Sequence, residues 1–331
     1  MIMALMLLNK RVKYDTIGRM ALKNAFAKFS PMADKTRSKT MDNSAVANST
    51  LGNGVSKVRR VMLDIIIALV PAIAASIVFF GLKALTIIMV CVGTAVISEF
   101  VFNLICKKAH TVSDLSAAVT GLLLALSLPS GVTVWQCIVG AVFAIVIVKC
   151  AFGGLGYNIA NPAVAARVML IIAFPAIKGT ANGTAPSLID MLVKNSNGII
   201  GEACAAALVI GGVYLLIRRV ISWQIPVVYI AGSFLLSLAL TQNVNTALYS
   251  ILSGGLILGA IFMATDPVTS PKKSAGKIVF ALGCALLTVL IRFYGSNADG
   301  ATFFAVLFMN IICPYIDRMF EKKQKSEEVA E

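Results

Sequence analysis

Histidine, charge and paired cysteines are what this 331-residue chain lacks. His110 is its single histidine, so a haem held by histidine or a histidine-rich metal site has too few ligands. The seven cysteines, at 91, 106, 137, 150, 204, 284 and 313, lie in or at the ends of apolar runs and form no CxxC pair. A disulfide framework, a zinc site and an iron–sulfur cluster are left without support, and no resident metal is expected. Charged residues make up 13% of the chain, where soluble domains carry about 25%. No nucleotide-binding fingerprint is present, because such a glycine loop needs a strand before it. No typical signal peptide is expected either. Met1 to Leu8 is apolar, but Lys10, Arg11 and Lys13 follow it rather than precede it.

What remains is apolar. Hydrophobic residues are 58% of the chain, and mean hydropathy is +0.88. Runs near the length of a membrane span recur along most of the sequence. They predict an all-α polytopic membrane protein with ten spans, near 61–81, 84–106, 114–128, 133–152, 161–176, 200–217, 224–241, 246–264, 276–294 and 301–316. The spans at 114–128 and 246–264 are short or glycine-broken, and such segments often border a midplane site. Net charge is +14. In a soluble protein that would suggest nucleic acid; here the charges read as topology, and the expected surroundings are a lipid bilayer. With the N-terminus inside, inner segments hold 23 of the 29 basic residues and outer segments hold Lys83, Lys178, Lys194 and Arg292. Both termini are therefore expected in the cytoplasm, with the chain in the cell's inner (plasma) membrane.

The stretch from Phe152 to Ser187 organises the rest. Gly153-Gly154-Leu155-Gly156 leads into Asn158 and Asn161, an apolar run follows from Pro162 to Pro175, and a loop of small polar residues ends it. Glycine permits close backbone approach, and asparagine offers a donor and an acceptor. Asn161 before Pro162 is also a good helix cap, so cap and ligand roles stand level for the two asparagines. The chain repeats as well. Gly121 to Ala125 resembles Gly255 to Gly259, and Asn158 to Pro175 parallels Asn297 to Pro314, with proline ending both. Five spans per copy is an odd number, so two such copies lie inverted, with a site at their interface. The expected layout is a basic tail (1–57), a first repeat (58–176), an outward loop (177–199), a second repeat (200–317) and a cytoplasmic tail (318–331).

Five ionisable residues fall within or at the ends of spans: Asp64, Glu99, Lys149, Arg167 and Asp317. A charge near the bilayer centre costs at least about 2.5–3.5 kcal/mol and so faces protein or water. Arg167 calls for an acidic partner or a ligand oxygen, Lys149 for snorkelling, and Asp64 for the inner surface.

The chain resembles the NqrB/RnfD family. That family comprises the D component of Rnf-type ion-translocating electron-transport complexes and, as a more distant match, the B component of sodium-pumping NADH:quinone reductases. The resemblance rests on Arg60 to Asp64, Ala68 to Pro71, Ser98 to Phe100, Val119 to Ala125, Phe152 to Pro162, Asp299-Gly300 and Met309 to Asp317. It implies FMN joined through its phosphate to a threonine in the outward loop. Thr184 is the nearest match and Thr180 the alternative; Thr302, in Gly300-Ala301-Thr302, opens a span and is set aside. It further implies riboflavin within the membrane, with Asn158, Asn161 and Arg167 as candidate contacts. Glu99 and Asp317 match acidic positions near the cation path of the quinone-reductase relatives. The implied function is a flavin-carrying subunit of a translocating oxidoreductase that couples ferredoxin–NAD electron transfer to Na⁺ or H⁺ movement. Other membrane and peripheral subunits are then partners, and NAD chemistry belongs to one of them. The alternative is a solute channel or transporter built on the same inverted repeat.

Overall fold

The structure is a computed structural model that describes residues 51–107, 112–175, 187–193, 199–295 and 300–328. Most of the expected N-terminal tail, and both Thr180 and Thr184, lie outside the described residues. Everything regular among the described residues is helical, apart from one isolated bridge between Pro129 and Ile199.

Two long helices open the fold, α1 (Leu51–Phe80) and α2 (Leu82–Ile105), joined at Gly81. Short α3 (Ser116–Ser127) follows, then α4 (Val134–Val142), which continues as a π-helix over Phe143–Cys150. Next come α5 (Pro162–Ala173), the small α6 (Leu188–Val193) and α7 (Ala205–Ile217). Helix α8 (Gln224–Thr241) precedes a bent pair, α9 (Val244–Leu252) and α10 (Leu256–Leu258), the latter running into a π-helix at Gly259–Met263. Helices α11 (Ser274–Tyr294) and α12 (Ala301–Glu328) close the chain.

Five helical stretches among the described residues are long and apolar enough to cross a membrane, and a sixth is added if the bent pair counts as one span. Their outward faces carry exposed Val78, Leu82, Met89, Ile105, Leu235 and Phe308. In water such a surface would be untenable; in hydrocarbon it costs nothing. Lipid is as apolar as leucine, so helices here are held together by close packing rather than by expulsion from water. Gly121 shows how. A Cβ built on it would lie 2.7 Å from the Cys91 carbonyl oxygen and 2.8 Å from the Val92 Cα. The missing side chain lets α3 lie directly on the backbone of α2.

The two spans expected to be short or glycine-broken each contain left-handed backbone. In the first, Leu115 (φ 64°) separates a 3₁₀ turn at Val112–Asp114 from α3. In the second, Gly254 (φ 67°) and Gly255 (φ 72°) mark a 60° bend. The paired helices α5 and α12 start at Pro162 and Ala301, positions that the repeat register matches. Two expectations need correction. Gly121 and Gly255 are not structural equivalents, since one sits inside a helix and the other opens one. Nor does Pro314 end its helix: α12 carries it within its length, whereas α5 stops before Phe174 and Pro175. A membrane helix can absorb a proline when neighbouring groups take up the freed backbone.

Gly121→Ala is expected to destabilise the fold by about 1–3 kcal/mol through overpacking against backbone. The measurement is the thermal midpoint of the detergent-solubilised chain. Gly93→Ala, where an added Cβ meets nothing within 4 Å, should leave that midpoint at or above wild type.

Candidate functional site

The polar residues gather where helix ends meet. Asn161 is the N-cap of α5: its Oδ1 accepts from the amides of Ala163 at 3.0 Å and Val164 at 3.4 Å. Its Nδ2 donates to the Met263 carbonyl at 3.3 Å, and its own amide donates to Asn310 Oδ1 at 3.2 Å. Asn310 in turn donates from Nδ2 to the Thr269 carbonyl at 3.1 Å. The cap of α5 is thus bonded to the second π-helix and to α12.

Asn158 plays a different part. Since α5 starts at Pro162, Asn158 lies in the turn before it, and the two asparagines do not share a helix face. Gly153, Gly154 and Gly156 in that turn have φ of 122°, 98° and 94°. A Cβ on Gly154 or Gly156 would meet nothing within 4 Å. These two glycines therefore serve backbone conformation and not close approach to a neighbour. Asn158 Oδ1 is buried with no hydrogen-bond partner among the described residues.

Both asparagines line a cleft with about 660 Å³ of empty space, its mouth included. Its apolar wall includes Ile65, Val119, Leu155 and Phe262, and its polar wall includes Ser116, Thr120, Lys149 and Asp266. Two of these residues come from the π-helical segments, Lys149 from the first and Phe262 from the second. A π turn shifts the residues after it off the α-helical register and is common beside functional sites.

Lys149 does not snorkel. It is 1% exposed, and its Nζ donates to Glu99 Oε1 at 2.8 Å and to Ser116 Oγ at 2.6 Å. Ser116 Oγ donates onward to Asp114 Oδ1 at 2.5 Å. Glu99, itself buried on α2, therefore belongs to a charged chain that reaches the cleft wall through Lys149. Asp64 is paired too, with Arg218 Nη2 at 3.3 Å and the Tyr214 hydroxyl at 3.0 Å. Asp317 accepts from the Lys272 amide at 3.1 Å, tying α12 to the loop before α11. Arg167 is buried, and its guanidinium lies 5.7 Å from the centroid of the Phe303 ring, a cation–π contact that the sequence did not suggest. Of the residues selected from sequence, Asn158 and Asn161 line the cleft; Glu99, Arg167 and Asp317 do not.

Sequence reasoning missed Asp266, which lines the cleft. Its Oδ1 accepts from the Val268 amide and its Oδ2 from Thr269 Oγ1, both at 3.2 Å. Burial pushes its carboxyl above the usual range, and those two hydrogen bonds pull it partway back. Thr302 is fully buried, and its hydroxyl donates to the Gly254 carbonyl at 2.9 Å. Its hydroxyl is thus engaged inside the bundle.

Fold and site define a multi-pass helical membrane protein with a half-apolar cleft at the junction of broken helices. The chain belongs to the NQR2, RnfD, RnfE family, which it matches over residues 45–326. It is 39% identical to the D-type subunit of the Na(+)-translocating ferredoxin:NAD(+) oxidoreductase complex of Acetobacterium woodii, across 80% of this chain and 89% of that protein. It is 34% identical to the D-type subunit of the proton-translocating ferredoxin:NAD(+) oxidoreductase complex of Clostridium ljungdahlii, across 79% and 89%. A third relative, 34% identical across 76% and 86%, is the D-type subunit of the ion-translocating oxidoreductase complex of Methanosarcina acetivorans.

Removing one partner of a buried ion pair leaves the other uncompensated, at a cost of about 3–5 kcal/mol. Glu99→Gln and Lys149→Met should each lower the thermal midpoint in detergent, and the double variant should recover much of the loss. Asp266 sets a pH dependence. Its folded pKa is raised, so the stability it contributes is present in acid and is lost as pH rises through the folded value. Asp266→Asn should therefore match wild type in acid and exceed it at neutral pH in a thermal melt.

Proposed function

We propose that this chain is the flavin-carrying membrane subunit of an ion-translocating oxidoreductase complex. In that assembly, electron transfer between ferredoxin and NAD is coupled to Na⁺ or H⁺ transport across the inner membrane. The other membrane and peripheral subunits of the complex are its partners. Family membership and the activities for which the relatives are named support this reading. One observation carries it: a cleft walled by apolar side chains, with an orphaned buried amide oxygen and a buried ammonium on the same lining.

Those residues suit a flavin. Its ring is flat and apolar, with an N–H that needs an acceptor and carbonyl oxygens that need donors. Asn158 Oδ1 supplies an acceptor with no competing partner among the described residues, and the third N–H of Lys149, beyond those given to Glu99 and Ser116, supplies a donor. On this reading riboflavin occupies the cleft. Asn158 holds it, Asn161 fixes the wall behind, and Arg167 has a structural place against Phe303. A flavin supplies electron-transfer chemistry that protein side chains lack; the protein binds and orients it and sets its electrostatic surroundings. A second flavin, FMN, is carried as a phosphoester on Thr184, with Thr180 the alternative. Both candidates fall in the 177–199 loop, taken to face outward.

The proposed membrane arrangement has ten segments in two inverted halves. Support comes from matched neighbours: α2 packs on α3 and α4, as α8 packs on α9 and α11. Charge counting assigns the connections near residues 107–113, 152–161, 218–223 and 264–275 to the cytoplasm, and the cleft lining draws on the last three. With that orientation the cleft opens inward and both termini are cytoplasmic.

The test is a denaturing gel viewed under ultraviolet light. A fluorescent band at the mass of this subunit is expected, and mass spectrometry of peptide 177–199 should show added FMN. Thr184→Val should darken the band; persistent fluorescence would move the attachment to Thr180. A dark wild-type band from the native host would overturn the covalent-flavin reading and favour a solute transporter.

A further inference from the structure

Among the described residues that line the cleft, Lys149 is the cation, and it is held unusually. It forms part of the wall while two of its three N–H groups are taken up by Glu99 and Ser116. Glu99 is not part of the lining. The ion pair is therefore oriented, with its positive end at the cleft and its negative end on α2 behind it. Other buried or half-buried cations face elsewhere. Arg218 faces Asp64, Arg167 lies over Phe303, and Arg292 donates to the carbonyls of Ser250, Ser253 and Gly254. Arg292 is instructive, since it too sits near the end of a helix and reaches the break in a bent segment, as Lys149 does. Three of its partners are backbone carbonyls, which is what a structural clamp requires. Lys149 instead contacts a carboxylate and a hydroxyl at the edge of open space. Asp266, the carboxylate on the described lining, is engaged by the Val268 amide and Thr269.

We infer that Lys149 is a potential-setting residue: it makes the cleft favour the reduced, electron-rich form of a flavin over the oxidised form. The inference rests on the proposed flavin reading. The physics is that of a fixed charge in a low-dielectric site. Its attraction to added negative charge is weakly screened there, and charge beside the ring shifts a flavin's potential. Glu99 tempers the effect, because it shares the ammonium. An arriving negative charge competes with Glu99 for Lys149, so Glu99 and the cleft ligand are linked through one side chain. Ser116 and Asp114 keep the ammonium in reach of both.

The experiment uses the purified full-length chain in detergent with riboflavin as the probe. The chain is dialysed against riboflavin under oxidising and under dithionite-reducing conditions. Retained riboflavin is then released by denaturation and filtration, which leaves covalently attached flavin behind. The ratio of the two affinities is the readout, and a purely structural lysine would not move it. Lys149→Met should cut the preference for reduced riboflavin about tenfold, equivalent to about 30 mV for a two-electron couple. Lys149→Arg keeps the charge and should stay within about twofold of wild type. Glu99→Gln should raise the preference, because the ammonium loses its competitor. An unchanged ratio in Lys149→Met overturns the inference while leaving the flavin reading intact. If Lys149→Met yields no folded chain, Glu99→Gln decides: a raised ratio supports the inference, and an unchanged or lowered one overturns it. A wild-type chain that retains no riboflavin in either state overturns the cleft-flavin reading itself.

Discussion

The two ends of Asn161 hold this molecule together where it is most irregular. Its oxygen closes the first turn of α5, and its nitrogen and its backbone amide cross to Met263 and Asn310. Buried in an apolar bundle, each of those groups would be costly if left open. Satisfying all of them at once fixes α5 relative to the second π-helix and to α12. The cleft in front of Asn161 is therefore bounded by elements that cannot shift independently.

That constraint explains why the polar residues are concentrated instead of scattered. Broken segments expose backbone groups that continuous helices would hide, and irregular backbone is tolerated in a membrane only where protein or a cavity receives it. At the first break, Asp114 accepts from the Ser116 amide at 2.8 Å, and Lys149 and Glu99 extend the chain behind it. At the second, Glu202 accepts from the Gly255 amide, and Arg292 and Thr302 satisfy the Gly254 carbonyl. Each break is thus held by a cation from a neighbouring helix and by a carboxylate. The first of these two arrangements borders open space, through Ser116 and Lys149.

The features that sequence revealed are the local ones. Apolar run length showed the long helices, and an asparagine before a proline showed the cap of α5. The span 246–264, expected to be short or glycine-broken, bends at Gly254 and Gly255. What stayed hidden depends on which helix packs beside which. Lys149 lies fifty residues from Glu99, and periodicity cannot pair them. Arg167 invited an acidic partner because charge is easy to see in a sequence; the ring of Phe303 beside it is a product of packing. Asn158 and Asn161 border one cleft although the helix begins after Asn158 and they share no helix face. Pro314 looked like a stop signal because that is its usual meaning in water, and a membrane helix is free to keep it.

Helix α5 has one further property, and it is a matter of length. Asn161, at its start, faces the cleft, and Pro175, just past its end, leads into the segment with Thr180 and Thr184. Twelve residues at about 1.5 Å each make a rod of about 18 Å. Covalent geometry leashes Thr184 to within about 11 Å of Ser187, three residues on, at most about 3.6 Å per residue. On the proposed reading, α5 therefore stands in the chain between the residues that hold the two flavins. A side-chain substitution leaves the length of that rod as it is; an insertion or deletion in α5 would change it.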